Sequence, residues 1–245
     1  MVTHCAIDGF SRLVLYIKCS DNNRSRTVYD QFFEATRNYG LPSRIRCDQG
    51  LENILVAQHM LEHRGEARRS ILVGSSVHNQ RIERLWRDSH RCATSLFYKL
   101  FYYLEKNDLL EQINDFHLFS IHYVFLPRIN RSLQQFRLAW NDHSIRTERG
   151  KTPNQLFAMG SLQMMNTNTP PDFFAQVDDT YGVEEDGLAG NDDIGIAIPQ
   201  ISIQLSDEQK RELQATINPL ADCDDYGISL YLQTLHLLQS WNIAS

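Results

Sequence analysis

An α/β fold is the expectation from this 245-residue sequence. Three observations carry it. Short runs rich in β-branched and aromatic residues open the chain and return around positions 45 and 71. Between and after them, apolar residues fall every three or four positions, the spacing of a helix with one buried face. Beyond residue 78 helical spacing dominates.

The elements follow in order. Residues 2–7 and 13–19 are two apolar runs joined by Asp8-Gly9-Phe10-Ser11-Arg12, which has turn chemistry, so they predict a β-hairpin. Residues 22–39 place Val28, Phe32, Ala35 and Tyr39 on one helical face, and Gly40-Leu41-Pro42 stops the helix. Residues 44–47 form a short strand that delivers Asp48. A short helix is expected over 54–63, a strand over 70–73 and a loop at Gly74-Ser75-Ser76.

A long helix over 78–105 should bury Ile82, Leu85, Trp86, Ser89, Ala93, Leu96, Leu100 and Tyr103. Residues 109–125 and 129–140 read as two helices divided by Pro127, since proline removes a helical hydrogen bond. Thr152-Pro153-Asn154-Gln155 starts another helix with a capping box, and Ser206 with Gln209 repeats the device. Residues 166–193 have linker composition, 194–205 suggest an edge strand, and 226–241 a last helix.

Composition bounds the function. No apolar run reaches the ~20 residues that span a bilayer, so no membrane partner is expected. The five cysteines are scattered without a C-x-x-C pair, which argues against a disulfide framework or zinc ribbon. Through Gly160 there are 22 Lys and Arg against 16 Asp and Glu, giving +6; the remainder has 2 against 14, giving −12. A basic body suits a phosphate-bearing partner, while an acidic tail either solvates the chain or recruits another protein.

Asp48 and Glu83 are the candidate catalytic and metal-ligating residues. One closes a strand, the other opens the long helix, and 34 residues separate them. In-line phosphoryl transfer uses two Mg²⁺ ions ~3.5–4 Å apart. Mg²⁺ prefers oxygen ligands, so carboxylates must converge on it from separate elements.

Several segments together resemble the integrase core of retroviral integrases and related transposases, the DDE superfamily with an RNase H-like fold. Ala6-Ile7-Asp8-Gly9-Phe10-Ser11-Arg12 resembles the second-strand signature, and Tyr39 through Gly50 the segment of the second acid. Asn79 through Arg84 resembles the motif around the third acid. Trp140-Asn141-Asp142-His143, Arg146 and Gly150 through Leu156 resemble a terminal transposase signature. The likeness covers about residues 3–160, and it is nearest to uncharacterised animal integrase-core proteins derived from mobile elements.

The resemblance implies metal-dependent DNA strand transfer, Mg²⁺ or Mn²⁺ as cofactor, DNA as partner and a nuclear location. It implies DNA contacts from Gln49, Asn79, Arg81, Arg84 and Arg87. It also implies a first-strand aspartate as third ligand. Asp8 matches the non-catalytic turn aspartate of the second strand instead, so the first strand and its acid are expected to precede Met1. Such a chain would be catalytically impaired, with an exposed sheet edge prone to aggregation. The alternative is a non-enzymatic DNA- or protein-binding module that kept the scaffold. The expected organisation is a partial core over 1–106, a helical extension over 107–165 that offers a homo-oligomer surface, an acidic linker over 166–193 and a small C-terminal segment over 194–245.

Other residues carry less. His59 and His63 stand four apart, a spacing able to bind zinc, but no third ligand is apparent and they read as surface histidines. Arg81, Arg84, Arg87 and Arg91 either meet phosphates or pair along the helix, as Arg84 with Asp88 and Glu83 with Arg87. The cluster of Phe97, Tyr98, Phe101, Tyr102 and Tyr103 reads as packing or a dimer surface. Glu52 and Asn53 read as a substrate-side loop or a turn with a helix cap.

Overall fold

A computed structural model describes residues 1–48, 50–65, 69–73, 80–166 and 201–241. It is a mixed α/β chain, as expected. Strands β1 (Val2–Ile7) and β2 (Val14–Ser20) pair antiparallel, with a register shift at Ala6/Ile7. The turn between them is held by Asp8, whose carboxylate accepts from the Ser11 amide at 2.7 Å and the Ser11 hydroxyl at 2.6 Å. Helix α1 (Ser25–Tyr39) follows, then β3 (Ile45–Cys47), a 3₁₀ turn at Leu51–Asn53, α2 (Ile54–Arg64) and β4 (Ile71–Val73). β3 and β4 pair parallel, and among the described residues no ladder joins them to β1 and β2. The expected loop at Gly74-Ser75-Ser76 lies outside the described residues, as does the 167–193 part of the expected linker.

The long helix is observed as α3 (Gln80–Ser89), a π-helical turn at His90–Thr94, and α4 (Ser95–Lys106). The sequence dictates that turn. Leu85, Ser89, Ala93 and Phe97 recur at steps of four, all buried. An α-helix turns ~100° per residue, so each step of four drifts ~40° around the axis. Over three steps the stripe would leave the core. A π turn takes up one extra residue and restores the phase. The Ser95 amide accordingly bonds to the His90 carbonyl, five residues back. Ser132 donates its hydroxyl to the Ala93 carbonyl at 3.1 Å, supplying a partner within the widened turn. The buried face past the turn is therefore Phe97, Leu100 and Leu104, while the expected Leu96 and Tyr103 are 43% and 51% exposed.

Pro127 does not divide two helices. Helix α5 runs unbroken from Asp115 to Asp142 with Pro127 inside it. An internal proline costs ~3 kcal/mol. Ile121, Val124, Phe125, Ile129 and Leu133 are buried on both sides of it, and each such side chain contributes roughly 1.5–3 kcal/mol on burial. Packing across the proline outweighs the lost hydrogen bond.

Helix α5 also closes the outer edge of β2. Asn141 accepts from the Val14 amide at 2.9 Å and donates to its carbonyl at 3.1 Å. Asn130 does the same at Cys19, at 2.8 and 3.0 Å. Two side-chain amides thus stand where a neighbouring strand's peptides would, which is one way to cover a sheet edge. Trp140 donates its indole N–H to the Arg12 carbonyl at 3.0 Å. Asp142 accepts from Asn154 at 2.7 Å, tying α5 to α6 (Pro153–Asn166).

One core joins Val14, Ile17 and Cys19 of β2 to Leu85, Ala93, the buried face of α4, and α5. A second, between α1 and α2, gathers Val28, Phe32, Val56 and Met60 under Tyr16, Ile45 and Ile71. Beyond the acidic stretch, α7 (Asp207–Thr216) and α8 (Ile228–Ser240) fold back on α5. Both capping boxes form as expected, at Thr152 with Gln155 and at Ser206 with Gln209. The described part of the expected edge strand, 201–205, is not a strand. Ile203 and Leu205 instead sink into the cluster of Leu213, Ile217 and Leu238, so side-chain burial replaces strand pairing there. Tyr231 is fully buried and donates to the Leu109 carbonyl at 2.7 Å. Arg128 reaches the Ala221 carbonyl at 2.6 Å and Cys223 Sγ at 3.3 Å. Among the described residues no helix is long and apolar enough to cross a membrane.

Candidate metal and nucleic-acid site

Asp48 stands immediately after β3, at the carboxyl end of the parallel pair. That end of an α/β sheet is where ligands are commonly received. The local sequence shapes the turn. Asn53, in the 3₁₀ turn, donates its amide to Asp48 Oδ1 at 2.7 Å. Glu52 folds back over Gly50: a side chain there would begin 1.9 Å from Glu52 Oε1, so only glycine fits. Asn23 Nδ2 lies 3.5 Å from Glu52 Oε2, joining the loop before α1 to this turn.

Glu83 lies in the first turn of α3 with its side chain exposed. Helix α3 packs against β1 as well as the main core. Leu85 and Ser89 point inward, leaving Glu83, Arg84 and Arg87 outward. Arg91, in the π turn, is also exposed, while Arg81 is half-buried. Gln49 and Asn79 lie outside the described residues. Among the described residues, no three His, Cys, Asp or Glu side chains gather closely enough to hold a metal ion.

Two neighbours complete the electrostatic picture. Burial pushes the Cys47 thiol up to about 11, and the carboxylates of Asp48 and Glu52 push the same way. It is a thiol at neutral pH and no nucleophile. His4, on β1, is buried with no hydrogen-bond partner for Nε2. Burial lowers its pKa, opposed by a backbone hydrogen bond with Asn22 and by the charge of Glu52. Sequence reasoning gave His4 no role. No local motif announces it, because its neighbours come from the loop before α1 and the turn after β3.

Asp8 is different. Its carboxylate is engaged by Ser11 within the hairpin turn. The terminal segment around Trp140 and Asn141 likewise docks α5 on the hairpin.

Comparison with curated proteins gave no match, and comparison with solved structures gave none. The model of one family, described as integrase core domain, matches residues 1–170. That span holds the hairpin, both candidate acids, the π-interrupted helix and α5. The chain therefore belongs to the integrase core domain family.

Proposed function

We propose that this is a mobile-element-derived integrase-core protein, built on an RNase H-like core, whose ancestral reaction is metal-dependent DNA strand transfer and which is catalytically impaired as a chain of residues 1–245. The observation that carries the reading is the placement of two acids inside the family match. Asp48 ends the leading strand of a parallel pair, and Glu83 is presented outward at the start of α3.

Two carboxylates fit Mg²⁺ or Mn²⁺ chemically, since such an ion takes hard oxygen donors and is often held by one or two carboxylates with water and substrate phosphate. Asp48 and Glu83 would hold it. Once bound, the metal would lower the pKa of an attacking hydroxyl or water and neutralise phosphate charge. The chain's own groups do the rest. Asn53 orients the Asp48 carboxylate. Arg84, Arg87 and Arg91 are exposed on the helix that carries Glu83, where they would contact phosphate oxygens, with Gln49, Asn79 and Arg81 as further contacts.

Impairment follows from the acid count. The family constellation uses three acids, and within this chain Asp8 spends its carboxylate on a turn. A non-enzymatic DNA- or protein-binding module is the second reading, favoured by the +6 body up to Gly160, which would attract nucleic acid without a metal. We further propose a nuclear location, and self-association through the outward aromatics of α4, where Tyr98 and Tyr102 are 68% and 63% exposed.

A strand-transfer assay with Mn²⁺ on labelled duplex DNA separates the readings. Weak product, abolished in Glu83→Gln, supports an impaired enzyme. DNA binding with no product supports the module. Efficient product unchanged in Asp48→Asn and Glu83→Gln overturns the assignment of these acids.

A further inference from the structure

Helix α2 ends in two histidines that strand transfer does not use. His59 and His63 are one helical turn apart, and their rings stack with centroids 4.0 Å apart and planes 23° from parallel. The expectation of two surface histidines holds for one of them. His63 is exposed, whereas His59 is buried. Tyr29, Phe32 and Phe33 meet the His59 ring edge-on, with centroids 5.6, 5.8 and 6.0 Å away. One imidazole is therefore immobilised by its neighbours, and the second stacks on it.

Each ring is also held by its Nδ1. His63 Nδ1 lies 2.8 Å from the His59 carbonyl oxygen. A carbonyl only accepts, so this Nδ1 carries the proton and the Nε2 lone pair is left free. His59 Nδ1 lies 3.2 Å from the Tyr29 hydroxyl. A hydroxyl accepts as readily as it donates, so the same tautomer suits His59. A ring whose Nδ1–H is tied to an oxygen acceptor is the arrangement that orients histidine for a metal.

The spacing selects the ion. Two nitrogens bound ~2.0–2.1 Å from a tetrahedral Zn²⁺ lie ~3.4 Å apart, close to the separation of these rings. Imidazole suits Zn²⁺, Cu²⁺ and Ni²⁺, whereas Mg²⁺ prefers oxygen. We propose that His59 and His63 form a two-imidazole clamp for a transition-metal ion of this class, separate from the carboxylate site of Asp48 and Glu83. Among the described residues no third His, Cys, Asp or Glu joins them, so water completes the coordination. The bound ion would brace the last turn of α2, which ends at Gly65, and with it the contact between α2 and α1. Burial, and secondarily the neighbouring His63, lower the His59 pKa, against the opposing charge of Glu62. This favours the neutral ring that binds metal.

The test uses the full chain in excess Mg²⁺. Cu²⁺ is added and its electron paramagnetic resonance spectrum read for coupled nitrogens; Zn²⁺ affinity is measured by calorimetry. The expected result is one tight equivalent with two coupled imidazole nitrogens. His63→Ala, at an exposed position, should keep the circular dichroism of the parent, lose one nitrogen from that spectrum and weaken binding at least ~10-fold. Tyr29→Phe should weaken it roughly 10-fold while keeping both nitrogens. Equal uptake by the parent and His63→Ala would overturn the proposal, as would displacement of the bound ion by Mg²⁺.

Discussion

Replacing Asn141 with alanine removes one of the two amides that close the β2 edge. The cost can be worked from the contacts. Asn141 is buried, and its side chain serves both the amide and the carbonyl of Val14, itself wholly buried. The Val14 carbonyl keeps a partner, because Arg137 Nε donates to it at 3.0 Å. The Val14 amide has no such second donor-acceptor pairing in the hydrogen bonds described. A buried polar group left without a partner costs about 1–3 kcal/mol, and a lost hydrogen bond to a group still bonded about 0.5–1.5. Together these give roughly 2–4 kcal/mol for Asn141→Ala. For a chain of this size that lowers Tm by roughly 5–15 °C. Asn130→Ala should cost more, since both Cys19 groups lose their side-chain partner. The assay is urea unfolding followed by circular dichroism, with the midpoint falling and the slope unchanged. The two sites lie at opposite ends of β2, so their effects should add within about 0.5 kcal/mol. A change below about 0.5 kcal/mol for Asn141→Ala would refute the view that α5 substitutes for a strand.

Three further outcomes are expected. Deleting the exposed Cys92 should turn the π turn into an ordinary one at a cost below about 1.5 kcal/mol, chiefly the Ser132 contact, whereas deleting Tyr98 should rotate Leu100 and Leu104 out of the core and unfold α4; thermal melts of both check this. Gly227→Ala should destabilise by about 1–3 kcal/mol, because φ is +106° and the new Cβ would lie 2.9 Å from Arg128 Nε; faster proteolysis of residues 201–241 would report it. Burial lowers the pKa of His4, His59 and His122 below the ordinary 6.5. Below that value the unfolded chain binds protons that the folded chain refuses, so stability should be full above pH 6.5 and fall as pH drops through the lowered values; urea melts between pH 5 and 8, with no loss on the acid side, would contradict this.

Much of the fold was legible because its signals are local. The hairpin follows from Asp8 through Arg12, and both capping boxes from residues three apart. Asp48 and Glu83 were placed correctly at a strand end and a helix start by period and punctuation. The misreadings share one cause, which is packing between distant segments. Pro127 looked like a boundary because its local cost is visible and the apolar face crossing it is not. Leu96 and Tyr103 were read as buried because a regular helix was assumed, when steps of four from Leu85 to Phe97 already demanded an extra residue. Residues 201–205 suggested a strand, yet Ile203 and Leu205 find cover on side chains from α7 and α8. His4 and His59 owe their character to neighbours brought by the fold, so no motif in their own segments reveals them.

The most direct measurement of the functional claim is duplex-DNA binding by fluorescence anisotropy across a salt series, without divalent metal, for the parent chain and an Arg87→Ala/Arg91→Ala variant. Each phosphate contact contributes about 0.9 to the slope of log affinity against log salt. The parent should bind with a steep negative slope, and the double variant should bind more weakly with a slope shallower by about two. A parent that does not bind duplex DNA at low salt, or a variant with the parent's affinity and slope, would contradict a DNA-handling surface on the helix that carries Glu83.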